Sequence, residues 1–262
     1  DVSGAQNIAI GSTAMDALTS GACNIGLGTD ALGALLSGTN NVAIGKATLG
    51  ATTNGANNVA IGVGALQTSD GDGDNNVAIG NTAMGGCDVS GDSNVAIGTT
   101  AMDALTTGVD NVAIGRDALG AATDNNCNVA IGYAALQTTV DDGDVNVAIG
   151  RAAMGGADVS GCNNVAIGNV AGNGITSGGD NVAIGRGALC AANTGSDNIA
   201  IGRAAGDSIS SATCVINIGY NVDNTVSNTT CIGGTCVMAT QFTATSDCRS
   251  KKDIKDLPYG LD

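Results

Sequence analysis

The pentapeptide Asn-Val-Ala-Ile-Gly, or a close variant of it, begins at Asn7, Asn24, Asn41, Asn58, Asn76, Asn94, Asn111, Asn128, Asn146, Asn164, Asn181 and Asn198, at intervals of 17, 17, 17, 18, 18, 17, 17, 18, 18, 17 and 17 residues. A unit this short cannot bury a hydrophobic face alone. It has to stack on its neighbours, so a fixed period of this length marks a solenoid. Two degenerate copies follow, VINIG ending at Gly219 and TCIGG around Gly233. The interval pattern 17, 17, 18, 18 itself recurs, and residues 58–98 closely match residues 128–168, which indicates duplication of a four-turn cassette.

Within each repeat, Val and Ile alternate with Ala, the period-2 pattern of a short strand. Four residues beyond the Gly comes Leu or Met in most copies, as at Met15, Leu32, Leu66, Met102 and Leu189, and this predicts a second short strand. Thr, Gly, Asp and Asn fill the rest, as turns require. Glycine recurs too often for helix interiors. The expected fold is therefore all-β, a parallel β-solenoid (β-roll) of about 14 turns with 17–18-residue repeats, roughly 65 Å long at the spacing of neighbouring strands.

Stacking in register forms a structural ladder, represented by Asn41, Val42 and Ile44, by Asn111, Val112 and Ile114, and by Asn181, Val182 and Ile184. The Asn amides bond along the stack. Val, Ile and Leu are expected to fill one narrow interior, with Ile114 in the core. Ala and Gly are expected to leave a flat second face that packs against other copies in an intertwined or side-by-side homotrimer.

Composition narrows the function. With 42 Gly, one Phe, three Tyr and neither Trp nor His among 262 residues, the core must be thin. A net charge of −15 argues against binding a phosphate backbone. No apolar run approaches the roughly 20 residues of a membrane span, so no membrane insertion is expected. The absence of His, and of any CxxC pair among nine Cys, argues against a zinc site. Catalysis on an external substrate lacks the convergent acid–base groups it would need.

Candidate sites are few. Asp70, Asp72 and Asp74 alternate in SDGDGDNN, a carboxylate pattern that suits calcium, with a solvated turn as the plain alternative. No Glu stands at the twelfth position of that loop, so it is not an EF-hand, and no other cofactor is expected. Cys214, Cys231 and Cys236 crowd the degenerate last turns, where a disulfide would hold a fraying end.

The pattern NNVAIGxxAL…TTG resembles the head repeats of trimeric autotransporter adhesins, and more closely the 17-residue repeats of phage-type tail-fibre proteins. The resemblance covers residues 1 to about 235 and implies a trimeric parallel β-roll, left-handed in the adhesin heads. The tail differs. It holds four of the nine Lys and Arg and the only proline, Pro258. Its SDCRSKKDI resembles the start of the intramolecular chaperone of endosialidase-type tail spikes, with Ser246, Asp247, Arg249, Lys251 and Ile254 on the pattern. That resemblance implies self-cleavage between Ser246 and Asp247, with Ser246 as nucleophile and Lys251 as a participant. It also implies a chaperone that continues past Asp262. The expected organisation is a shaft over 1–235, a connector over 236–246 and the start of a chaperone-like segment over 247–262.

These readings converge on a structural protein: the trimeric shaft of a phage-like tail fibre or extracellular appendage, on a virion or outside the cell, whose rods join end to end in one version. The runner-up is an adhesin head that binds a surface glycan or matrix protein. Ice binding is weaker still, because Thr positions wander. If the tail motif cuts itself, the full gene should yield a fragment beginning at Asp247, and Ser246→Ala should leave the chain whole. An intact wild-type mass identical to that of the variant would reduce the motif to a structural segment.

Overall fold

The computed structural model of the chain describes residues 4–69, 73–139, 143–191 and 193–233, and the backbone of 235–237. Fifteen three-residue strands form one sheet, in sequence order. They are β1 (Ile8–Ile10), β2 (Ile25–Leu27), β3 (Val42–Ile44), β4 (Val59–Ile61), β5 (Val77–Ile79), β6 (Val95–Ile97), β7 (Val112–Ile114), β8 (Val129–Ile131), β9 (Val147–Ile149), β10 (Val165–Ile167), β11 (Val182–Ile184), β12 (Ile199–Ile201), β13 (Ile216–Ile218), β14 (Thr230–Ile232) and β15 (Thr235–Val237). Strands β1 to β14 run parallel, and β15 turns back antiparallel on β14. This is a parallel β-solenoid of about 13 turns, with no helix among the described residues. The sequence count of about 14 took every strand as a turn, whereas fourteen parallel strands enclose thirteen.

Register is strict. Val112 pairs with Val129, Ala113 with Ala130 and Ile114 with Ile131, and the same alignment runs through the repeats. A buried file of Asn amides fixes it. Each Asn from Asn24 to Asn198 donates its backbone N–H to the Oδ1 of the Asn one turn earlier, at 2.8–3.0 Å, and Val215 closes the file on Asn198. Each Nδ2 donates to a backbone carbonyl of the following turn, mostly that of a glycine, at 2.6–3.0 Å. Each amide thus holds both the turn before and the turn after, and the stacked donors and acceptors stay satisfied in the interior.

The strand faces are the reverse of the expected arrangement. The central Ala points inward and is fully buried in β3 to β12, while the flanking Val and Ile point outward. Ala113 is 0% exposed and Ile114 37%. The reason is size. At the one strand where Gly replaces Ala, a Cβ on Gly26 would already stand 3.0 Å from Met15 Cε and 3.2 Å from the Ala31 carbonyl oxygen. Through β12 the central position holds nothing larger than a methyl group beneath the opposite wall, and only at β13 and β14 are the buried central residues larger, Asn217 and Cys231. Hydrophobicity alone would send Val and Ile inside, and space forbids it.

That opposite wall is a run of turns and not a second strand. Met15, Leu32, Leu49, Leu66, Met84, Met102, Leu119, Leu136, Met154 and Leu189 all take a left-handed backbone, with φ between 48° and 55°. The conformation costs roughly 1–2 kcal/mol per residue. Burying each Leu or Met side chain offsets it by a comparable or larger amount, about 1.5–3 kcal/mol. The wall also keeps a ladder of its own, in which Leu119 N–H donates to the Ala135 carbonyl at 2.9 Å. Gly115 shows why Gly follows Ile: its φ is 139°, and a Cβ there would lie 2.4 Å from the Gly132 carbonyl oxygen.

The inversion reverses the mutational ranking. Ala113→Leu forces a large side chain into filled space and should lose about 1–3 kcal/mol. Ile114→Ser, measured at concentrations that keep chains apart, should lose less than about 1 kcal/mol, because only part of an outward side chain is affected. Denaturant melts of both variants decide this, and the opposite order would return Ile114 to the core.

Candidate functional surface

Three files of side chains run along the rod outside the core. Two of them, the outward Val and Ile of the strands, form one flat sheet face. Its Ile positions are half-buried or exposed throughout, with Leu27, Ile114, Ile167, Ile184 and Ile201 among the exposed ones. Exposed apolar side chains scattered singly mean little, but this strip is continuous along the sheet, which makes it the candidate interaction surface.

The third file is the residue after each strand glycine. In order it reads Ser12, Thr29, Lys46, Val63, Asn81, Thr99, Arg116, Tyr133, Arg151, Asn169, Arg186, Arg203 and Tyr220. Lys46, Arg116, Arg151, Arg186 and Arg203 are the five cations that precede the tail, so the first 246 residues carry no Lys or Arg outside this file. The Arg116 guanidinium lies over the Tyr133 ring at 4.5 Å and Arg151 approaches the same ring at 5.9 Å, while Arg203 lies 4.1 Å over Tyr220. The motif readings passed over this file. The repeat period held the signal, because only alignment of the turns brings these residues together.

The sequence candidates fall elsewhere. Asn41, Asn111 and Asn181 sit in the buried amide file, and Val42, Ile44, Val112, Ile114, Val182 and Ile184 stack in register on the outward face. Asp74 is a stacking residue: its Oδ1 accepts the Ala56 N–H at 2.7 Å, and its own N–H donates to Asp92 Oδ1 at 2.8 Å. Asp144 does the same one cassette later, accepting the Asn126 N–H at 2.6 Å. Asp70 and Asp72 lie outside the described residues, as do Ser246, Asp247 and Lys251. No group of three His, Cys, Asp or Glu able to hold a metal occurs among the described residues. Cys231 is disulfide-bonded and Cys236 is its cross-strand neighbour, but Cys214 is a free, exposed thiol, which corrects its place in the expected disulfide set. Cys214 occupies the exposed left-handed corner before the Asn file, as Cys23 and Cys127 do.

Two groups carry shifted protonation. Burial, with a hydrogen bond to Asp207 Oδ1 at 2.7 Å, pushes the Cys190 thiol up to about 11, so it stays protonated and unreactive at neutral pH. Burial also raises the Asp103 carboxyl, helped by the nearby charge of Asp117 and opposed by the Gly86 N–H. One Asp103 oxygen is buried without a hydrogen-bond partner among the described residues.

No protein-family model matches the chain, and no curated protein matches it in sequence. Among the described residues no helix is long and apolar enough to cross a membrane.

The Asp103 environment gives a signed pH dependence. Its pKa is raised on folding, so its ionisation opposes the fold. The penalty is absent below the unfolded carboxylate range, grows as pH rises through the folded pKa, and is constant above it. Asp103→Asn, which keeps an acceptor for the Gly86 N–H, should therefore stabilise the protein at pH 7 and lose that advantage near pH 3. Thermal melts of both proteins at the two pH values test this, and a variant no more stable at pH 7 would refute it.

Proposed function

We propose that the chain is the shaft of a fibre, a parallel homotrimer whose copies meet through the outward Val and Ile face. The observation that carries this reading is that face: thirteen turns of apolar side chains, in register, left half-covered on one side of a thin rod. A second copy suits it better than an unrelated partner. Its side chains repeat at the strand spacing of about 4.8 Å, and only a surface with the same pitch can interlock along the whole length. Burying the remaining surface of each Ile yields roughly 1 kcal/mol. Summed over a dozen turns, that is on the order of 10 kcal/mol per copy, comparable with the 4–15 kcal/mol that association costs. The shaft therefore holds together only when it is long.

The number three, and a place on a virion or outside the cell, rest on the resemblance to tail-fibre and adhesin-head repeats. The earlier assignment of the Ala- and Gly-rich surface to the interface is replaced, because the Ala file is already inside the coil. No enzymatic role on an external substrate is proposed.

Light scattering should give three times the 25.1 kDa chain mass. The double variant Ile114→Asp, Ile184→Asp should fall to the single-chain mass with its β-sheet circular dichroism intact, since both side chains are outward. A wild-type mass of one chain at micromolar concentration would sink the proposal, and so would a double variant that stays trimeric.

A further inference from the structure

Among the described residues, no side-chain cation of this file joins the hydrogen bonds that hold the coil together; their contacts are with the Tyr133 and Tyr220 rings and with Asp117. Side chains that hold the coil together point inward, and Lys46, Arg116, Arg151, Arg186 and Arg203 are all exposed. The chain has 24 carboxylates, yet the only ion pair among the described residues is Arg116 with Asp117, at 3.8 Å. A net charge of −15 offers counter-charges at many positions, and dispersed cations would have met them. Instead the cations stand in one line, and two of the three tyrosines stand in it with them.

The file is most regular from Arg116 to Tyr220. Arg116, Arg151 and Arg186 are each two turns apart, with Tyr133 and Asn169 between them, and Arg203 and Tyr220 occupy the next two turns. At the strand spacing this places the Arg116, Arg151 and Arg186 positions about 10 Å apart along the rod, with Arg203 about 5 Å beyond Arg186. Cation–π attraction of Arg116 and Arg151 to Tyr133, and of Arg203 to Tyr220, steadies three of these guanidinium groups, whose N–H groups can still donate to a ligand. Beside the C-terminal end of the file lies a groove of about 250 Å³, lined among others by Arg186, Arg203, Tyr220, Cys190 and Asp207. The Asp207 carboxylate there accepts a hydrogen bond from the Cys190 thiol.

We infer that this file is a binding site for a linear acidic polysaccharide, laid along the rod with its acid groups on the guanidinium edges. The spacing selects the class. A glycan with an acid group on every other sugar presents charges at a pitch comparable to two turns of the coil. An extended acidic peptide, with one face repeating about every 7 Å, falls out of step. Single-stranded nucleic acid needs open aromatic faces on which bases stack, and here the guanidinium groups cover faces of Tyr133 and Tyr220. The surrounding negative charge does not prevent binding, because at physiological salt fields are screened within about 8 Å and the ligand meets the file at contact. The inference goes beyond the fibre-shaft reading and does not depend on the number of copies.

The test is titration of the intact protein with four polymers of matched length: hyaluronan, which carries a carboxylate on alternate sugars; heparin, which is sulfated; neutral dextran; and single-stranded DNA. The expected result is binding of hyaluronan that weakens as salt rises and is tighter than that of heparin, whose acid groups fall on every sugar and miss the two-turn pitch. The double variant Arg151→Gln, Arg186→Gln should weaken that binding by about tenfold or more. It should leave particle mass unchanged and lower the melting temperature only slightly, because both side chains are exposed and only the long Arg151–Tyr133 contact is lost. Five results would each overturn the inference: no binding of hyaluronan, dextran binding as well as hyaluronan, heparin or DNA binding more tightly than hyaluronan, undiminished hyaluronan binding by the double variant, or a changed particle mass in that variant. The last would make the file a contact between chains, and it is separable from failure of the shaft proposal because wild-type mass is measured independently.

Discussion

The structure depends on one constraint, that every turn must lie in register on the one before. The Asn file enforces it. A displacement of one residue would remove the Asn128 N–H from Asn111 Oδ1 and strand the Asn111 Nδ2 away from the Asn125 carbonyl, deep in a coil with no water to replace them. A polar residue recurs at this buried position because an apolar side chain there would pack adequately but would tolerate slippage. In a repetitive sequence slippage is the main hazard, since a one-residue shift exchanges the two faces of each strand. The intervals of 17 and 18 show how the constraint is met. Extra residues are absorbed outside the strand, and Asn58 to Asn76 and Asn76 to Asn94 bond at 2.8 Å despite the longer step.

With register fixed, the cross-section is set by space. A turn of 17 or 18 residues encloses the strand Ala, a Leu or Met on the opposite wall with the Ala before it, and one further side chain such as Leu35, Val89, Leu105 or Ile175. Little apolar area is buried per turn, so backbone hydrogen bonds and side-chain stacking carry an unusual share of the stability. Polar residues enter the interior where they can join that stacking: Thr52 Oγ1 donates to the Ser69 carbonyl at 2.8 Å, and Ser69 Oγ to the Val89 carbonyl at 2.8 Å. Left-handed corners recur along the coil, and most positions before the Asn file hold Asn, Asp, Ser or Cys, which bear that conformation better than β-branched residues. Val145, with φ of 58° and half exposed, departs from this pattern.

Much of this was legible in the sequence. The period, the parallel in-register stack, the Asn ladder and the absence of helix all followed from one pentapeptide. The direction of the strand was not, because alternation of Val, Ala and Ile fits either face, and hydrophobicity ranks the wrong residues first. The substitution pattern held the answer. From β1 to β12 the central position is only ever Ala or Gly, a limit on volume, while the Ile position accepts Leu, a limit on character alone. The second wall was misread for a related reason. A buried Leu after Ala suggests a strand, and nothing in a Leu announces a left-handed backbone. The cation file escaped because Lys46, Arg116, Arg151, Arg186 and Arg203 lie far apart in sequence and match no motif until the turns are laid over one another.

The inversion of the strand faces also connects the fold to its use. A coil that hid Val and Ile would have a larger core and a surface of Ala, Gly and polar residues, with little reason to associate. The narrow coil instead keeps the strand Val and Ile outside, one pair per turn, where they are only half-buried in the single chain and form the surface through which we propose that copies associate. The same geometry multiplies any residue at a given place in the repeat into a line. A line of Ile is the contact we propose between copies, and a line of Arg and Tyr is the track we propose for an acidic ligand. Function in such a rod is therefore encoded by position within the turn, and a substitution at one place matters in proportion to how many of its neighbours in the file share its chemistry.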